Sequence, residues 1–362
     1  MKKSLLALAA MGAFVGAAQA QSSVTVYGIL DMGITSYKTK TSANLETTTT
    51  GSGLNQALST SRLGFRGVED LGGGLTVGFQ LEGNVAANPG TTGSNNATAF
   101  NFGRHQFVTL TSKTAGGVLI GKTDSLVKQI FDSYDAGFSN NVTGAYDGMG
   151  TSLTEITGSN VIGNRRDSTV RYTTPSFSGA TVTAGILKSS VKATNASGVT
   201  TTDTEDESGY ELAGRYAQGA ISAGLAYRNA KSKVLATSDA TTTSTAAGAS
   251  YNFGPAIAFA QYFDQANKNN LAGNQTKEKA MAFGVRVPVT KVATVFASYT
   301  GGDKTSTTNV KTKFDGMQAG ATYSLSKRSD LYALYGQSKL KADGSANNAT
   351  ASGMAVGIKH TF

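Results

Sequence analysis

Residues 353–362 read GMAVGIKHTF. Counting back in twos from the last residue collects Phe362, His360, Ile358, Val356 and Met354 on one side, with Lys359, Gly357 and Ala355 on the other. A period of two belongs to a β-strand, whose successive side chains point to opposite faces. One mostly apolar face, one small or polar face and a terminal aromatic residue suit a strand with lipid outside and water inside. Backbone groups left unpaired in hydrocarbon cost several kcal/mol each, so such a strand must be paired on both edges. The expectation is a closed barrel in which the last strand meets the first.

The other end of the chain agrees. In VTVYGILDMGITSY (24–37), Val24, Val26, Leu30, Met32 and Ile34 share one face and Thr25, Tyr27, Asp31 and Thr35 the other, which turns Asp31 inward on the first strand. Residues 38–57 are rich in Thr, Asn and Gly and read as a loop. Stretch 61–67 then alternates Arg62, Gly64 and Arg66 against Leu63 and Phe65. Stretch 75–82 alternates Leu75, Val77, Phe79 and Leu81 against Thr76, Gly78, Gln80 and Glu82, with EDLGGG (69–74) as the turn between them. The same rhythm predicts strands near 103–112, 117–123, 167–175, 179–189, 208–217, 219–230, 244–253, 256–264, 278–287, 292–300, 314–325, 330–338 and 353–362. That makes sixteen, an even number, with short turns at one end and long polar connections at the other. The predicted class is therefore all-β, a 16-stranded antiparallel transmembrane β-barrel.

Residues 1–20, MKKSLLALAAMGAFVGAAQA, carry Lys2 and Lys3, an apolar run and Ala18-Gln19-Ala20, the pattern of a secretory signal peptide. The barrel is then expected over 21–362. Removing Lys2 and Lys3 from 32 basic residues leaves 30 against 23 acidic, a net charge of +7. This excess is spread along the chain rather than gathered into a patch, which argues against nucleic acid as a partner. With no cysteine there is neither a disulfide scaffold nor a thiolate metal site. No motif calls for a cofactor or a metal. The 44 glycines against 4 prolines fit strands whose inner face carries small residues.

Alternation alone also suits a soluble β-sandwich, but the polar face decides. Arg, Lys, Glu and Gln stand where a sandwich interior would be apolar, opposite an apolar set. An outer-membrane barrel enzyme is the rival from another class. Only His105 and His360 exist, strand phase sends both away from the lumen, and neither lies in a Ser/His/Asp constellation.

Four stretches resemble the Gram-negative porin family, in particular its trimeric beta-proteobacterial and neisserial members: SSVTVYGILDMGI (22–34), SRLGFRGVEDLGGGL (61–75), YSLSKRSDLYALYG (323–336) and GIKHTF (357–362). The resemblance implies a homotrimer of water-filled barrels in the outer membrane, among lipid and lipopolysaccharide, each narrowed by an inward-folded third loop. It also implies that the last strand, up to Phe362, is the signal read by the barrel assembly machinery. Sequence order puts the third loop at 123–164, without the Pro-Phe-Gly stretch frequent in the family. Ile130, Phe131, Tyr134, Phe138 and Tyr146 are candidates to pin it to a wall. Asp124, Asp132, Asp135, Asp147 and Glu155 supply its carboxylates.

Facing the loop, the family has a basic wall. Here strand phase turns Arg62, Arg66, Arg104, Lys122 and Arg171 inward, with Arg62 nearer mid-strand than Arg66. Cations on one wall and carboxylates on the other make a transverse field that favours small hydrophilic solutes and ions over apolar ones. The expected function is passive diffusion with a mild anion preference, which the loop carboxylates oppose. A channel selective for organic acids is the alternative within transport.

Overall fold

The computed structural model describes residues 23–53, 57–85, 102–138, 165–194, 197, 200–234, 238–345 and 348–362. The expected signal peptide lies outside them, as do Tyr146, Asp147 and Glu155 of the third loop. The strands are β1 (Ser23–Lys40), β2 (Glu46–Gly53), β3 (Arg62–Gly72), β4 (Leu75–Asn84), β5 (His105–Ser112), β6 (Gly116–Asp124), β7 (Arg165–Thr173), β8 (Ala180–Thr194) and β9 (Thr200–Gln218). They continue with β10 (Ile221–Val234), β11 (Ser238–Asn252), β12 (Ile257–Asn269), β13 (Gln275–Pro288), β14 (Ala293–Thr305), β15 (Lys311–Ser324), β16 (Ser329–Ala342) and β17 (Ala349–Thr361). One helix, α1 (Leu126–Ser133), follows β6.

Each strand pairs antiparallel with its neighbours, and β17 returns to β1 from Ile29↔Thr361 to Lys40↔Thr350. The other edge of β1 is shared, with β3 along Ser23–Ile29 and β2 along Gly33–Lys40. β2 and β3 thus occupy one position in the wall, and the barrel has sixteen strands. The expected loop at 38–57 is corrected here. Its Thr-rich residues have no apolar face to betray a strand, yet they extend the first hairpin, because pairing alone satisfies their backbone. The same holds for the polar stretch between β10 and β11, where the strands run to Val234 and restart at Ser238.

Side-chain exposure follows the period of two. On β17, Met354 and Val356 are 58% and 54% exposed on the outer face, while Ala355 between them is 2% exposed. Val24, Val26, Met32 and Ile34 continue the apolar band on β1. Exposed Tyr216, Tyr251, Phe253 and Tyr323 cluster at the short-turn end, where an interfacial aromatic girdle belongs. No described helix is long and apolar enough to cross a membrane, so the crossing is made by strands.

The apolar packing lies inside the barrel. One cluster joins Leu126, Val127, Ile130, Phe131, Tyr134 and Ala136 to Ala213, Ala226, Ala246, Phe259, Phe263, Ala280 and Phe314 of the wall. A second joins Ala57 and Leu58 to Phe296, Tyr332, Leu334 and Ala355. Two segments have therefore left the wall for the lumen, each with its own apolar anchor.

Candidate functional site

The first inward segment is α1 with the residues after it. Ser125 caps the helix, its Oγ accepting from the Lys128 N–H at 3.1 Å. The apolar residues at 126, 127, 130 and 131 make one face, which lies on β9 to β12. Small residues let the helix come close. A Cβ at Gly224 would sit 2.6 Å from Ile130 Cδ1, and one at Gly248 would overlap the Tyr134 ring. Ile130, Phe131, Tyr134 and Phe138 all stand against the wall: Phe131 meets Phe263 edge-on at 6.1 Å, and Phe138 meets Phe296 at 5.6 Å. Burying a side chain such as Ile130 or Phe131 is worth about 1.5–3 kcal/mol, which offsets the ~1–2 kcal/mol of ordering that residue's own backbone.

Polar anchors set its two ends. At the start, Arg171 Nε donates to Glu211 Oε1 at 2.5 Å and Arg171 Nη2 donates to the Asp124 carbonyl at 2.7 Å, while Glu211 Oε2 accepts from the Leu126 N–H at 2.9 Å. At the far end, the Arg286 guanidinium donates to the Asp135 and Ala136 carbonyls and lies 3.7 Å over the Phe138 ring. Gln318 Nε2 donates to Asp135 Oδ1 at 3.2 Å, and Gln261 donates to the Phe131 carbonyl.

The loop carboxylates are consequently engaged. Asp132 holds Lys128 at 2.6 Å one turn away, and burial pushes its carboxyl above the usual range against the pull of that ammonium. Asp135 caps the Gly137 N–H, also through Oδ1. Asp124, where the loop begins, meets Arg165 at 3.3 Å and His105 at 3.8 Å.

Beside Asp124, Arg62 of β3, Arg104 and His105 gather on Glu82 of β4. Arg104 Nε donates to Glu82 Oε1 at 2.5 Å and Arg104 Nη1 donates to Asn84 at 3.0 Å; Arg62 Nη1 stands 3.9 Å from the same carboxylate. Tyr27 donates to Glu82 Oε2 at 3.0 Å and receives Gln80 Nε2 at 2.7 Å. Arg66 lies lower, toward the short turns, with its guanidinium 5.0 Å over the Tyr27 ring.

Of the five basic residues expected on the wall, Arg62 and Arg104 meet at one point and Arg66 stands below them. The other two are placed differently. Lys122 stands in the phase of the exposed Val118 and Ile120 and pairs with Asp167 at 2.9 Å, where a register shift interrupts β6 and β7. Arg171 does point inward, but Glu211 on β9 takes it up, so it braces the helix rather than facing open water. Asp31 is inward and fully buried. His105 is a correction: its imidazole faces Glu82 and Asp124 inside the barrel, since β5 sends Gln106, Val108 and Leu110 outward. Glu82 and Glu211 were readable as inward residues from alternation, and only tertiary pairing reveals what they hold.

A family model described as "Gram-negative porin" matches residues 7–343. Outer membrane porin protein 32 of Delftia acidovorans is 34% identical over 379 residues, covering all of both chains, and an outer membrane porin protein of Bordetella pertussis is 32% identical over 412 residues, again covering both. Among solved structures, the anion-selective porin from Comamonas acidovorans superposes with a TM-score of 0.72 at 27% identity, covering 94% of this chain and 100% of that one.

Proposed function

The chain belongs to the Gram-negative porin family, an outer-membrane β-barrel, and from that premise we propose that it is a water-filled diffusion channel for small hydrophilic solutes and ions with a preference for anions. The observation that carries the preference is the convergence of Arg62 and Arg104 beside Glu82, with Arg165 on Asp124 next to them. Three guanidinium groups against two carboxylates leave positive charge in excess on one side of a lumen narrowed by α1. Such a field lowers the energy of a passing anion and raises that of a cation. The related Comamonas protein is titled anion-selective, which points the same way.

The reading extends to three protomers per assembly and to recognition of the strand ending in Phe362 by the machinery that inserts barrels. Reconstitution in planar bilayers tests it. Conductance is expected to rise in groups of three equal steps, and reversal potentials under a salt gradient are expected to take the anion's sign. A clear cation preference unchanged by Arg62→Gln or Arg104→Gln would refute the role of the basic cluster.

A further inference from the structure

The second inward segment, residues 57–61, lies at the foot of Arg62. Residues 57–61 step out of the wall between β2 and β3, and β3 restarts with Arg62, so their path decides where that guanidinium stands. Arg62 is held to the segment twice, Nε donating to the Thr60 carbonyl at 2.9 Å and Nη2 to Ser59 Oγ at 3.0 Å. The segment in turn is held by Asp31. Asp31 Oδ2 accepts from the Ser59 N–H at 2.7 Å, Oδ1 accepts from the Tyr332 hydroxyl at 2.5 Å, and the Asp31 N–H donates to Ser61 Oγ at 2.9 Å. Ala57 and Leu58 pack on Phe296, Tyr332, Leu334 and Ala355 beneath it.

We propose that Asp31 is a positioning residue for ion selectivity: its carboxylate ties segment 57–61 to β16 and thereby fixes Arg62 at the constriction. A buried carboxylate that satisfies two donors, the Ser59 N–H and the Tyr332 hydroxyl, is expensive to remove, because each of them is then left without its partner. Phe296 belongs to the same cluster and also meets Phe138 of the third loop, so the two inward segments abut on one ring.

The inference rests on the anion preference proposed above, and the sign of one measurement separates it from simple charge counting. Asp31 is a negative charge inside the barrel. If it acted only through its field, Asp31→Asn would increase the anion preference. If it positions Arg62, the same substitution weakens the Tyr332 and Ser59 bonds, releases the guanidinium and decreases the preference.

The experiment combines two readouts on reconstituted protein. The chain has no cysteine, so Leu58→Cys gives a unique thiol whose labelling by a cationic methanethiosulfonate reagent reports release of the segment whatever the selectivity. Adding Asp31→Asn is expected to speed labelling about tenfold, the ratio that loss of one or two buried hydrogen bonds gives. The anion-to-cation permeability ratio should fall toward that of Arg62→Gln. Tyr332→Phe, which keeps the charge and removes one bond, should move both readouts the same way by less, and it serves if Asp31→Asn does not yield folded barrels.

Unchanged labelling would overturn the proposal, and so would faster labelling with a preserved or increased anion preference. A wild-type channel without anion preference, combined with faster labelling in Asp31→Asn, would sustain the pinning and refute only the selectivity reading on which it builds.

Discussion

Arg62 and Arg171 both project inward from barrel strands, and their neighbours give them different work. Arg62 keeps about a fifth of its side chain accessible, beside a carboxylate 3.9 Å away that it shares with Arg104. Arg171 is almost wholly enclosed, and its partner Glu211 also receives the first N–H of α1. A unit charge about 8 Å from a permeating ion in water is worth ~0.5 kcal/mol, with opposite signs for anion and cation. Arg62→Gln should therefore lower the anion-to-cation permeability ratio roughly two- to fivefold, the lower figure applying near 0.1 M salt where screening is substantial. Removing one partner of an enclosed ion pair strands the other charge and costs about 3–5 kcal/mol. Arg171→Gln is accordingly expected to lower the unfolding temperature and to make single-channel currents noisy, as the start of α1 loses its clasp. Gel mobility on heating and the variance of the open-channel current check it. Strand phase showed that both arginines face inward. It had no means of showing which one a carboxylate from a distant strand would enclose.

At the scale of the element, the strands were legible because lipid on one face and water on the other impose a period of two that nothing else in the chain imitates. Two elements carried no such mark. β2, ETTTTGSG, lies where both faces are polar, so its pairing with β1 leaves no pattern in residue type. α1 has a helical signature of its own, Ser125 followed by apolar residues at 126, 127, 130 and 131, but at two turns it is too short to stand out. Its position depends on the wall as much as on itself. Gly248 admits the Tyr134 ring, so Gly248→Leu inserts bulk between the barrel and the segment. Overpacking of this kind costs about 1–3 kcal/mol. It pushes the helix toward the pore axis, so single-channel conductance is expected to fall while ion preference keeps its sign. Ser125→Ala acts on the same helix from its end, at a cost of about 1 kcal/mol, and leaves the wall contact intact. The expected result is a lower unfolding temperature with conductance near that of the wild type.

The molecule as a whole depends on one seam that sequence order cannot close by a short turn, the junction of the first and last strands. Twelve residue pairs join β1 to β17, and below them Gly28 and Phe362 exchange both backbone hydrogen bonds at 3.1 Å. The Phe362 ring lies over Gly28, so a side chain there would meet the ring and, at 2.7 Å, the Arg62 carbonyl. The aromatic end of the chain thus covers the point where β1 changes hands, leaving β3 on one edge and taking β17 on the other. Closure is non-local, and such contacts form late because the intervening chain must be ordered first. A defect at Gly28 should therefore show in the rate of closure before it shows in the conductance of barrels that do close. Gly28→Leu is expected to slow formation of the compact, heat-modifiable form on refolding into detergent micelles. Deleting Phe362 removes both seam bonds and the ring while leaving Gly28 free of collision, so it should slow closure with less strain in the final barrel. Equal refolding rates for wild type and Gly28→Leu, followed by electrophoresis of unheated samples, would show that the seam closes without the ring seated on the glycine.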